Sequence, residues 1–217
     1  MSYQQSDKTR ALLGCAIAVG PLFVLVVLLQ AGTRRGFDLG RHPISLLSLG
    51  SLGWIQIANF VVSGAVFAAS AVGLRQELRN TWGGAVIPFA VAALGVGSII
   101  AGVFVTDPGA GFPPGAPDGA PERMSWHGLL HEVGFVVAQL GWLVFVIAMI
   151  RRSTAKWPWI TALVAVLALV AWPSLDGFSV RLLLATAIEF GAVAMLARRL
   201  LRSAAAMSEN GQRLRRI

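Results

Sequence analysis

Six apolar stretches, at residues 11–31, 52–74, 85–105, 129–150, 157–172 and 182–200, make up most of the sequence. Charged residues are nearly confined to the connections between them. A helix needs about 20 mostly apolar residues to cross the hydrocarbon core of a bilayer. Inside that core backbone amides must bond within their own segment, so a helix is the form such stretches take. The expected fold class is therefore all-α, an integral membrane bundle of six transmembrane helices. The first stretch follows Lys8 and Arg10 as a signal peptide would, but it outlasts an ordinary signal core and Gln30-Ala31-Gly32 makes a poor cleavage site. It reads as a retained anchor. Composition agrees: 13% of the residues are charged, against about 25% in an ordinary soluble domain.

Lys and Arg in the connections give the orientation. Thirteen lie on the side of the two termini, among them Arg75, Arg79, Arg151, Arg152 and the run from Arg198 to Arg216, and five on the other side. The positive-inside rule puts the richer side, and so both termini, in the cytoplasm. The layout expected is a cytoplasmic N-terminus (1–10), a six-helix transmembrane domain (11–200) and a mobile basic tail (201–217) able to touch anionic lipid headgroups. The bilayer is the expected partner. A net charge of +8 does not point to nucleic acid, because the charges fall in short clusters between apolar runs, where a reader of nucleic acid needs a continuous basic face. Cys15, the single cysteine, is expected to pack as a small apolar residue. Trp157, Trp159 and Trp172 bracket the fifth stretch as interfacial anchors.

Small residues crowd the second and third stretches (Ser63, Gly64, Ala68, Gly73, Gly95, Gly97, Gly102). Helices in lipid associate largely through such close approach, so these two should lie near the bundle centre. Gln56, Asn59 and Ser63 share one helical stripe, which should face other helices as interhelical glue or line a polar path.

The rare titratable residues gather at the end away from the termini: His42, His127, His131, Asp107 and Glu132, with Glu189 deeper in the sixth stretch. A carboxylate at mid-membrane costs roughly 2.5–3.5 kcal/mol, so Glu189 needs a partner, a proton or a cavity. His127 and His131 are four apart, one turn on one helix face. That spacing suits two ligands to zinc, with His42 as a third and a water in the open position. Asp107, Glu132 or Glu189 would then act as general base or orient the ligands. The glutamate follows the second histidine, so the His-Glu-x-x-His pattern of zinc peptidases is absent. The histidine set loosely resembles the alkaline ceramidase and adiponectin-receptor membrane hydrolases, which have seven spans and carry the His-x-x-x-His pair on the last; here it begins the fourth of six.

Each motif also has a structural reading. Pro43 holds His42 extended, Ser45 or Ser48 could cap the second helix, and Thr106-Asp107-Pro108 ends the third. Residues 106–126, with five prolines and four glycines, should run extended over the surface.

The run His42-Pro43-Ile44-Ser45-Leu46-Leu47-Ser48-Leu49-Gly50 with Gly53-Trp54-Ile55-Gln56 and Asn59-Phe60, joined by Gly102-Val103-Phe104-Val105-Thr106-Asp107-Pro108 and the His127/His131 pair, resembles the prokaryotic membrane family called domain of unknown function 998. The resemblance covers about residues 12–200 and implies a small polytopic protein of the bacterial plasma membrane, with no activity or catalytic residue assigned. Three readings stand open: a membrane protein with an outward-facing polar His/Asp/Glu pocket, a zinc-dependent hydrolase of a lipid-like substrate, and a proton-linked carrier using Glu132, Glu189 and the Gln56/Asn59 stripe.

Overall fold

A computed structural model describes residues 7–119, 121, 123–170 and 177–214, the side chain of Phe178 and those beyond Met207 excepted. Its described residues form six α-helices and no strand: α1 (Asp7–Thr33), α2 (Gly53–Leu78), α3 (Val86–Val103), α4 (Trp126–Arg152), α5 (Trp157–Val170) and α6 (Phe178–Leu214). A 3-10 turn, Ile44–Ser48, precedes α2. Five helices, all but α5, are long and apolar enough to cross a membrane. The 14 described residues of α5 span roughly 21 Å. Trp172, expected to close that segment, lies outside the described residues.

The helices form a closed ring in which each packs against its neighbours in sequence and α6 returns to α1. Neighbours run antiparallel. Thr9, at the start of α1, bonds the side chain of Gln76 near the end of α2. Arg152, at the end of α4, donates to Thr81 Oγ1 (2.7 Å) and Trp82 O (2.6 Å) between α2 and α3. At the opposite end, Gly177 N donates to Gly40 O (2.9 Å), bringing the start of α6 onto the α1–α2 connection. The α1–α2 and α3–α4 connections thus share one end of the bundle, hereafter the loop end.

Packing is tightest along α2–α3–α4. A Cβ on Gly64 would collide with the carbonyl of Gly95, and one on Gly97 with the backbone of Gly134 and Ala138. Bare backbones therefore meet, and dispersion supplies attraction that water cannot supply in lipid. Gln56, Asn59 and Ser63 are buried. Gln30 Nε2 donates to Gln56 Oε1 (2.7 Å), and Asn59 Nδ2 donates to Phe23 O (3.2 Å), stitching α2 to α1. Gln56 and Asn59 of the stripe thus act as glue in the α1–α2 seam.

Four expectations need correction. Neither Ser45 nor Ser48 caps α2: both sit in the 3-10 turn, and the residue before α2 is Leu52, with no side-chain cap. Trp159 is not an interfacial anchor; it is 0% exposed, packs on Phe145 and lies under Arg199, while Trp157 is 77% exposed. Cys15 is exposed on the outer face of α1 rather than packed. Residues 201–214 are helical, because Ala204-Ala205-Ala206 favours helix and no proline stops α6.

Candidate functional site

At the loop end Asp107 follows α3, and its Oδ2 accepts from Ser125 N (2.8 Å), fixing the residue that caps α4. Ser125 Oγ in turn accepts from Gly128 N (3.0 Å), one of the donors that a helix start leaves unpaired. Gly128 has no Cβ, and one there would strike the Asp107 carboxylate. The acid thus sits against the positive end of α4. Burial pushes the Asp107 carboxyl up, but the hydrogen bonds from Ser125 and the charges of His127 and His131 outweigh it and hold it below the ordinary value.

The histidines serve main-chain carbonyls. His131 is buried, and its Nδ1 donates to Ala101 O (2.7 Å) and Phe104 O (3.1 Å) at the end of α3. His127 Nδ1 donates to Val105 O (2.8 Å), with Asp107 Oδ1 at 3.9 Å. Together they satisfy carbonyls that α3 leaves unpaired at its C-terminus. His42 Nδ1 accepts from Asp38 N (2.9 Å) and its Nε2 donates to Ala110 O (3.0 Å), between Phe37 and Phe112. His42 O accepts from Ser179 of α6. This histidine therefore joins both long connections to the last helix. Arg34 supports the same corner, donating to Leu47 O and Leu49 O and lying over Phe112.

His42, His127 and His131 are not brought together as a ligand set. Among the described residues no group of three or more His, Cys, Asp or Glu side chains is placed to hold a metal ion. His42 has both ring nitrogens engaged, and His127 and His131 each have Nδ1 engaged by main-chain carbonyls.

What the fold does assemble is a cavity of about 410 Å³ inside the ring, running from the loop end toward mid-bundle. It is lined by α1 (Phe23), α2 (Phe60), α3 (Leu94, Ser98, Ala101), α4 (His131, Glu132, Phe135, Gln139) and α6 (Leu182, Thr186, Glu189, Phe190), with Arg41 and Asp107 at the loop end. Four of the six residues singled out from sequence therefore line one space; His42 and His127 do not. The walls are mainly apolar, with Asp107, His131, Glu132 and Glu189 as polar points on them. α4 and α6 scarcely touch. Along that gap Glu132, Phe135 and Gln139 of α4 face Leu182, Thr186 and Glu189 of α6.

Glu189 is 2% exposed. Its Oε2 accepts one long bond from Gln139 Nε2 (3.4 Å), and its Oε1 has no hydrogen-bond partner among the described residues. Sequence reasoning missed Gln139, Phe135 and Thr186. The available signal was spacing: Glu132, Phe135 and Gln139 fall at i, i+3 and i+7, and Leu182, Thr186 and Glu189 at i, i+4 and i+7.

A family model described as protein of unknown function (DUF998) matches residues 17–207. No curated protein and no solved structure matches the chain.

Proposed function

Because the chain belongs to the family of unknown function DUF998, whose description assigns no activity, we propose from the site alone that it is a multi-pass membrane protein that binds a lipid-like, amphipathic small molecule. One observation carries this reading: the mainly apolar cavity of about 410 Å³ is lined at depth by a buried carboxylate with one oxygen unpartnered among the described residues. Small-molecule sites are of this kind, roughly 300–1,000 Å³, apolar, with a few placed polar groups. An unpaired polar atom buried in hydrocarbon is costly unless something comes to meet it.

In this reading both termini are cytoplasmic by the count of basic residues. The loop end faces outward across a bacterial plasma membrane. Binding is also the first step of a proton-linked carrier, which would draw on the same Glu132 and Glu189. The zinc hydrolase is the weaker reading, since both ring nitrogens of His42 are engaged.

Native mass spectrometry of protein released from lipid nanodiscs tests the proposal. The wild type is expected to retain an amphiphile that Thr186→Trp, which fills the cavity, releases. No retained molecule, together with no heat of binding for any added amphiphile, would sink it.

A further inference from the structure

The cavity's charges and rings narrow the ligand further. We propose, building on the amphiphile-binding reading, that the ligand carries a protonated amine, and that Glu189 binds it at the deep end of the cavity.

Three carboxylates line the space, those of Asp107, Glu132 and Glu189. The arginine on the lining, Arg41, is already paired with Asp118 at 3.0 Å. His131 directs Nδ1 at the carbonyls of Ala101 and Phe104. The three carboxylates outnumber the two basic groups on the lining, Arg41 and His131, so the field favours an ammonium group over a carboxylate or phosphate headgroup.

The deep end supplies the contacts an ammonium needs. Glu189 lines the cavity, and its buried Oε1 has no partner among the described residues, which makes it an acceptor for an N–H donor. A hydrogen bond that joins two charges is about twice as strong as a neutral one. Phenylalanines 23, 60, 135 and 190 line the same space. Phe190, next in sequence to Glu189, packs edge-on against Phe23 with ring centroids 5.3 Å apart. The electron-rich faces of such rings attract cations, most strongly where water is excluded. One carboxylate among several aromatic rings suits a cation. A hydroxyl would use the carboxylate oxygen and gain nothing from the rings. From Glu132 to Gln139 the α4 wall advances seven residues, roughly 10 Å, which leaves room for an apolar body behind the amine.

The test is a matched series, octylamine, octanol and octanoate, titrated calorimetrically at neutral pH into protein held in phosphatidylcholine nanodiscs. Octylamine is expected to bind wild type about tenfold more tightly than octanol, with octanoate weakest. Glu189→Gln should bring octylamine down to the level of octanol, and Glu189→Asp should keep the amine preference. Retained octanol binding by Glu189→Gln shows that the variant is folded. Each probe partitions alike into discs holding either protein, so the comparison cancels uptake by lipid. If octanol equals octylamine on wild type, or Glu189→Gln keeps the amine preference, the amine assignment falls while the amphiphile cavity stands. If none of the three binds, the cavity reading falls and takes the amine with it.

Discussion

Asp107, His127 and His131 lie where α3 ends and α4 begins, and His42 lies where two connections meet, so each stands beside backbone groups that no helix satisfies. A buried N–H or C=O stripped of its partner costs about 1–3 kcal/mol. His42→Phe should therefore lower unfolding stability by that order, exposing Asp38 N and Ala110 O together, and chemical unfolding in mixed micelles would measure it. Asp107 makes a pH-dependent contribution of known sign. Its folded value lies below the ordinary 3.8, so its stabilisation is complete above that value and fades as pH falls through the folded one. Asp107→Asn should flatten that acid limb; an unchanged limb would place the stabilising charge elsewhere. Residue type and the shared end of the bundle were legible in the sequence. What each histidine does was not, because two imidazoles four apart read alike whether they aim at a metal or at carbonyls of the preceding helix.

The helices were more legible than their ends. Hydrophobic length marked all six, and small residues in the second and third stretches marked the tight seams. Composition could not show that Trp159 turns inward beneath Arg199 while Trp157 stays out, since both indoles sit two residues apart at the same border. Nor does a basic stretch reveal whether it is helical, and α6 continues as helix through Leu214. Seam geometry gives a prediction at this scale. Gly64→Val would force α2 from α3 where backbones touch, and overpacking of this kind costs about 1–3 kcal/mol. Gly14, with open space around its Cβ position, should accept valine with far less effect. Equal losses at both sites would mean that the seam does not hold the bundle.

For the whole molecule, the ring leaves α4 and α6 apart and puts four of the sequence's six candidate residues on one cavity. No window of sequence contains that gap; it comes from α6 choosing α1 and α5 as neighbours. The orientation is checked by reporters. A phosphatase fused at residue 115 should be active and one fused after Ile217 inactive, and the reverse result would turn the cavity mouth to the cytoplasm.

The closing contact between α6 and α1 also orders events during synthesis. Until the sixth helix leaves the translocon, the first five can form only an open crescent, and the wall bearing Glu189 does not yet exist. Chains that stall early hold a groove open to lipid in place of an enclosed chamber. On the amphiphile-binding proposal, recognition is expected only after the final insertion step.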